Sequence, residues 1–449
     1  MRKVLMLAYV FPPFFSAGGS IRAVKFVKYL PGLDWQPLVL TIDDSRETVS
    51  QKREGSEALL AEIPPEARVY RTPSGELSAA LQQKGREARR KNRAAALAVN
   101  VLSALRRIVY RYVFLPDAHI TWLPVALREA RRIVRAERVD VVWATCPPHS
   151  TAIIAALLKR LMKRPLVLDY RDDWIDTPWY RAKPRGARWF ERRLEQWAVH
   201  AADCVVLVTE ASRSTFIARY GREPAGKFAL IPNGCDLDDF AAVRKQVVAE
   251  HDTFNIVHAG LLSVDSGWRR SPRPFFDALR QIAHEHPDVA HRLAVTFTGC
   301  LPEAYRGEIE RDGLCHVVRE AGFLPHEVFL RLLHEADLLL TINYEGFDTL
   351  IPGKIYEYWA VGGAPILLLD GEGAARRFVR HHDLGWCVSQ DDTAGIAAAI
   401  VEAYRKREAG APLRIHADGI QQFDRKELAR HLAALLDEVS RADTARGIR

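Results

Sequence analysis

The chain has 449 residues, 48% hydrophobic and 27% charged, which exceeds what one hydrophobic core usually supports, so two globular domains of roughly 200 residues are expected. Its six cysteines, at 146, 204, 235, 300, 315 and 387, form no C-x-x-C pair and no regular spacing, which argues against a zinc site or a disulfide framework and fits a reducing cytoplasm. The net charge is +8 and no run of 18 apolar residues occurs, so no segment is expected to span a bilayer.

The apolar run from Val4 to Phe11 ends in Pro12-Pro13 without a small-residue cleavage site, and it reads as a buried first strand rather than a signal peptide. Strand 4–10, helix 20–30 and strand 36–42 then form a first strand–helix–strand unit. A basic insertion at 77–115 follows, with nine Lys or Arg against the single acid Glu87. Within it Leu97, Val101, Leu105, Ile108 and Tyr112 share one helical face. Two readings fit: a helix packed on the first domain with a solvated basic face, or an amphipathic helix on an anionic membrane surface. No stacking aromatics interleave with the charges, so nucleic acid is not an expected partner.

The alternation resumes with helix 123–136, strand 139–145, helix 150–162, strand 166–170, helix 187–201, strand 204–208, helix 211–220 and strand 228–231. Pro232-Asn233-Gly234 is a turn signal, and the polar stretch after it has few cues of its own, so a linker is placed at 233–253. The second half restarts with strand 254–258, helix 273–284, strands 293–298 and 317–320, helix 326–334, strand 338–342, helix 354–361 and strand 364–369. Strand 385–388 and helices 393–406 and 426–442 complete it. Such alternation means parallel sheets with helices on both faces. The expected division is 1–232, the linker 233–253, 254–420, and a terminal helix in 421–449 with the option of crossing back to the first domain.

The most informative stretch runs from Thr341 to Leu367: a buried strand, a loop punctuated by Pro352-Gly353, a helix stopped by Gly362-Gly363, and a new strand. In an open parallel sheet that loop and the following helix N-terminus form the ligand crevice, where backbone N–H groups favour an anion. Lys354 and Glu357 sit at its mouth, a cation suited to phosphate and a carboxylate suited to ribose hydroxyls. Elsewhere, Gly18 and Gly19 in the loop from Phe11 to Ser20 allow close backbone approach of a ligand or simply satisfy a turn, and Ser20 is placed as the N-cap of the next helix. No G-x-G-x-x-G occurs there. His149 follows a strand end, as a crevice residue or an ordinary capping histidine. Asp169, Arg171, Asp172 and Asp173 cluster at the next strand end, as an acceptor-side site or a structural ion-pair network. Arg269, Arg270 and Arg273 suit a diphosphate or a solvated surface.

Five stretches in this order resemble the GT-B fold glycosyltransferases of family 4: Tyr9-Val-Phe-Pro-Pro with Gly18-Gly19, Asp169-Tyr-Arg-Asp-Asp-Trp174, Ile231-Pro-Asn-Gly234, His258-Ala-Gly260, and Gly353-Lys-Ile-Tyr-Glu-Tyr358. The resemblance implies an α/β chain of GT-B architecture, two Rossmann-like doubly wound domains facing a cleft, with the acceptor on the N-terminal domain and the sugar nucleotide on the C-terminal one. It implies retention of anomeric configuration, no metal and no cofactor beyond the donor itself. By position, Glu357 is similar to the second acid of the family's E-x7-E motif, which holds the ribose, while the first acid is replaced by Thr349, with Glu345 and Asp348 nearby. Arg270 falls at the family's diphosphate lysine, Leu261 replaces its arginine, and His149 resembles its active-site histidine. The implied donor set is Gly18, Gly19, Arg270, Gly353, Lys354 and Glu357, with His149, Arg270 and Lys354 in the chemistry.

The expected function is a retaining, metal-independent hexosyltransferase of cell-envelope polysaccharide synthesis, using a glycan or polyprenyl-linked saccharide acceptor. It would lie in the cytoplasm, peripheral on the inner face of the cell membrane through 77–115. A nucleotide-sugar epimerase of the same fold and a non-catalytic sugar-nucleotide-binding scaffold are the alternatives, the latter because of Thr349 and Leu261.

Overall fold

A computed structural model describes residues 1–13, 19–43, 56–74, 114–241, 243, 251–260, 262, 271–411 and 413–445. Most of the basic insertion at 77–115, together with Gly18 and Arg270, lies outside the described residues. The chain forms two compact units, Met1–Pro232 with Leu428–Arg449, and Asn233–Glu427.

The first unit carries a sheet of β1 (Arg2–Leu7), β2 (Trp35–Ile42), β3 (Arg68–Thr72), β4 (Val141–Cys146), β5 (Leu166–Tyr170), β6 (Cys204–Leu207) and β7 (Phe228–Leu230), in the order β3-β2-β1-β4-β5-β6-β7. The second carries β8 (Phe254–Ala259), β9 (Leu293–Thr298), β10 (Val318–Gly322), β11 (Leu338–Ile342), β12 (Ile366–Leu369) and β13 (Gly385–Val388), in the order β10-β9-β8-β11-β12-β13. The strand pairs are parallel, in register such as Leu339 beside Ile366. Their central strands are nearly continuous apolar runs because helices cover both faces: every residue of β4, β5 and β11 is buried. Strand order reverses between β1 and β4 and again between β8 and β11, and the carboxyl ends at those two points are where such sheets leave a crevice.

Helix faces follow the same logic. The Leu123–Glu137 helix buries Ala126, Ala130, Ile133 and Val134, the spacing of a single stripe, and leaves Arg128, Arg132 and Arg135 exposed. The Arg425–Ala445 helix begins in the second unit and continues in the first, where Leu428, Leu432 and Leu436 join the apolar cluster of Val4, Met6, Val24 and Val27. Asp437 on that helix accepts from Trp35 Nε1 at 2.8 Å and pairs with Arg2 at 2.5 Å.

Several elements are absent from the sequence reading for identifiable reasons. The Glu303–Arg311 helix buries only Tyr305 and Ile309, too few apolar positions to show a period. The Ala374–His381 helix buries two alanines, Val379 and an arginine, Arg376. β3 is a charged edge strand. The Gly19–Tyr29 helix starts one residue earlier than expected, so Ser20 lies inside its first turn rather than at the N-cap. In the stretch read as a linker, Cys235 N–H donates to Phe423 O at 3.1 Å and Leu237–Phe240 is a short helix, so 233–240 belongs to the second unit.

Candidate functional site

At the reversal point of the second sheet, β8 ends in His258 and Ala259, and the chain turns at Gly260 with φ of 104°, a conformation that favours glycine. β11 runs beside it and leads through the 343–352 loop to the Gly353–Val361 helix. Pro352 precedes that helix with extended backbone, and no side chain caps its first turn, so N–H groups there remain available to a ligand. Lys354 in that turn donates from Nζ to Ala259 O at 2.5 Å. One turn later the Tyr358 hydroxyl accepts from Ala259 N–H at 2.8 Å and donates to Leu340 O at 3.2 Å. The His258 Nδ1–H also donates to Leu340 O, at 3.0 Å, which fixes that ring's tautomer. Lys354 and Tyr358 thus grip both polar groups of one residue at the end of β8. A Cβ on Gly260 would stand 3.5 Å from Lys354 Nζ, an ordinary contact, so it is the backbone conformation rather than space that calls for glycine there.

Glu357 follows Lys354 by three residues on the same helix and is half-buried. Burial raises its pKa above the ordinary carboxylate value, while Arg425 and Lys354 pull it down. Its carboxylate has no hydrogen-bond partner among the described residues. The rest of the helix is locked from behind: Tyr356 and Trp359 pack on Phe378 and Phe423, and Trp359 Nε1 donates to His416 O at 2.9 Å.

The 343–352 loop is held by the next strand. Asn343 Nδ2 donates to Asp370 Oδ1 at 3.1 Å, Gln390 Nε2 donates to Asn343 O at 2.6 Å, and Ala374 N–H donates to Asp348 O at 2.7 Å. Burial raises Asp370 to about 6, against the opposing hydrogen bonds from Asn343 and Gly371 and the charge of Arg376. Thr349 is half-buried, and Glu345 and Asp348 are exposed. Of the arginine cluster, Arg273 is engaged with Glu308 at 2.5 Å, and Arg269 and Arg270 fall outside the described residues.

In the first unit a second set gathers at the carboxyl ends of β4 and β5. His149 is 6% exposed and lies between rings, 5.0 Å from Trp174 and nearly parallel to it, and 6.2 Å from Tyr170. Neither ring nitrogen has a hydrogen-bond partner among the described residues. Burial pushes its pKa down to about 3, and the Lys183 and Arg171 cations push the same way, so the imidazole is neutral. Asp169 is fully buried and paired with fully buried Arg22 at 2.8 Å. Arg22 also donates to Ile231 O and Pro232 O, at 2.9 and 2.8 Å. Thr145 Oγ1 donates to Asp169 Oδ2 at 3.0 Å and accepts from Arg171 Nε at 2.9 Å, and Arg171 also donates to Pro147 O. A continuous polar chain therefore runs from the end of β7 to the residues just before His149. Asp172 is raised by burial and lowered by Arg171. Gly19 opens the helix that carries Arg22.

The structure thus places Gly353, Lys354 and Glu357 together in the second unit, and His149, Asp169, Arg171 and Asp172 together in the first. Sequence reasoning missed Tyr358, Arg425 and Arg22. Tyr358 was signalled by its place four residues after Lys354, but Arg22, an arginine in a helix with a solvated-looking face, gave no sign of being fully buried. Among the described residues no group of three or more His, Cys, Asp or Glu gathers as a metal site.

Residues 76–239 match the sequence profile of Glycosyltransferase Family 4. No curated protein matches the sequence. Among solved structures, the fold is similar to that of a sucrose-phosphate synthase from Thermosynechococcus elongatus, with TM-score 0.67 and 15% identity over 98% of this chain and 100% of that one. It is similar to HepE of Anabaena in complex with UDP and glucose, with TM-score 0.61, 20% identity and coverage of 98% and 100%. The α,α-trehalose 6-phosphate synthase of Burkholderia multivorans gives TM-score 0.64 and 13% identity at the same coverage. Two parallel α/β sheets and a fold shared over nearly the whole chain give this protein the GT-B fold of those structures, and its residues 76–239 match the Glycosyltransferase Family 4 profile.

Proposed function

We propose that the chain is a retaining glycosyltransferase that takes a hexose-type sugar from a nucleoside-diphosphate donor bound at the Gly353–Val361 helix. It passes the sugar to a glycan or polyprenyl-linked glycan in cell-envelope polysaccharide synthesis, in the cytoplasm and peripheral to the inner membrane face through 77–115. The observation that carries this reading is that Lys354, seated on Ala259 O, shares one helix opening with Glu357, whose carboxylate has no hydrogen-bond partner among the described residues. The cation and the open first-turn N–H groups suit a diphosphate. The carboxylate suits two ribose hydroxyls, which would donate to it and offset the burial that now raises its pKa.

The chemistry follows the charge. The anomeric C–O bond breaks and its electron pair goes to the diphosphate oxygen, where Lys354 and Arg270 stabilise the growing negative charge more in the transition state than in the ground state. The departing phosphate oxygen takes the acceptor hydroxyl's proton, and the new C–O bond forms on the face the leaving group vacates, which retains configuration. His149, neutral, orients or polarises the sugar. With fixed cations in this role, no metal or cofactor takes part in the proposed reaction. Loss of one such contact commonly raises a barrier by about 3 kcal/mol.

A thermal-shift panel of sugar nucleotides identifies the donor, and calorimetry with that donor tests the site. Glu357→Ala and Arg270→Ala are each expected to abolish binding, and unchanged affinity in both overturns the assignment. Donor conversion without any acceptor would instead indicate an epimerase.

A further inference from the structure

The Arg185–Ala201 helix in the first unit is amphipathic in an unusual sense: its acids face inward. The buried stripe is Ala187, Glu191, Glu195, Ala198 and Val199. Glu191 accepts from Trp174 Nε1 at 2.9 Å and from Lys183 Nζ at 2.6 Å. Glu195 accepts from the Tyr220 hydroxyl at 2.5 Å and from Arg219 at 3.5 Å. Both acids are thereby turned into the unit and away from the outward face.

At 100° per residue the opposite arc holds Arg185, Trp189, Arg192, Arg193 and Gln196, with Phe190 at its edge, and all six are exposed. Trp189 is 62% and Phe190 45% exposed, and the Arg193 guanidinium lies 5.7 Å from the Trp189 ring centroid. Just upstream, the Pro178–Arg181 helix adds Trp179, 37% exposed, and Arg181. Between Pro178 and Gln196 the acids are Glu191 and Glu195, both fully buried, so this stretch contributes aromatic and cationic side chains and no acid to its outward face.

Aromatic rings left in water beside unopposed arginines have the composition of a helix that lies in a lipid headgroup layer, where tryptophan sits at the boundary and guanidinium groups meet phosphates. A base-stacking platform needs a groove that tracks a nucleic-acid backbone, whereas this face is the convex outside of one helix. We propose that the Trp189 face docks on an anionic phospholipid surface, with Trp189 and Phe190 entering the headgroup region and Arg181, Arg185, Arg192 and Arg193 pairing with lipid phosphates. This goes beyond the contact assigned above to 77–115, and it holds whether or not the chain transfers a sugar.

The test is sedimentation of the full chain with vesicles of phosphatidylglycerol and phosphatidylethanolamine, against phosphatidylcholine vesicles, at 0.1 M salt. The wild-type chain is expected to pellet with the anionic vesicles and to stay in solution with the zwitterionic ones. Trp189→Ser/Phe190→Ser is expected to lose most of its partitioning onto the anionic vesicles. Arg185→Gln/Arg192→Gln/Arg193→Gln is expected to lose on the order of a hundredfold in partitioning, at about fivefold per charge. Both variants alter exposed side chains and are expected to melt at the wild-type temperature and to keep donor affinity. The proposal is overturned if the aromatic pair variant pellets like wild type. It is equally overturned if the aromatic substitutions convert a dimer to a monomer without changing vesicle binding, since a second copy would then cover the face.

Discussion

Replacing Asp169 by alanine separates a residue that meets an acceptor from one that holds the first unit together. The Arg22 guanidinium gives Nε and Nη2 to the two Asp169 oxygens, at 3.1 and 2.8 Å, and both side chains are 0% exposed. Asp169→Ala strands that charge in the core with only the carbonyls of Ile231 and Pro232 as acceptors, and it takes away the acceptor of Thr145 Oγ1. Removing one partner of a buried pair costs about 3–5 kcal/mol, which for a unit of this size lowers its melting temperature by roughly 6–20 °C. Arg22→Met/Asp169→Leu removes both charges and is expected to recover much of the loss, because the desolvation cost of the pair disappears with it. The assay is calorimetry together with urea unfolding followed by tryptophan fluorescence, with donor affinity of the second unit as the control. A loss below about 1 kcal/mol accompanied by abolished transfer would refute the structural role and make Asp169 a substrate contact.

Three further outcomes follow from the site. Gly260→Ala forces a side chain into φ of 104°, which strains the turn that follows Ala259, so the donor should bind about tenfold more weakly by calorimetry, and unchanged affinity would mean that Lys354 is not held against β8 as described. Asp370 has a folded pKa of about 6 against an ordinary 3.8, so its contribution is fully present below about pH 4 and is lost as pH rises through 6. Asp370→Asn keeps an acceptor for Asn343 and should therefore be more stable than wild type at pH 7.5 by about 2–3 kcal/mol, with the difference closing near pH 4; a pH-independent difference in urea midpoint would contradict this. His149, held to about 3, stays neutral across the working range, so His149→Gln should lower kcat at every pH while donor affinity persists, and a kinetic limb near pH 6.5 that vanishes in this variant would show the imidazole titrating.

The opening of the Gly353–Val361 helix was legible because three local signals agree there: Pro352 before it, Lys354 and Glu357 in its first turns, and Gly362 in the left-handed conformation at its end. The strands were legible for a similar reason, since a parallel strand covered on both faces is a continuous apolar run. The Glu303–Arg311 and Ala374–His381 helices were not, because their contacts with the core are made by few and small side chains. Arg22 shows the other limit. Charge predicts exposure, and what overrides it is a partner 147 residues away in the chain.

Local chemistry along the chain was therefore sufficient for the alternation of strand and helix, for two parallel-sheet units and for a phosphate-suited helix end, because each depends on residues within a turn or two of one another. Tertiary packing settled what needs distant partners: that Lys354 rests on Ala259, that the Asp169 cluster is bound to Arg22 and the end of β7, and that the acids of the Arg185–Ala201 helix turn inward. A side chain's type states what it can bond to, and only the folded chain supplies which partner comes within 3 Å of it.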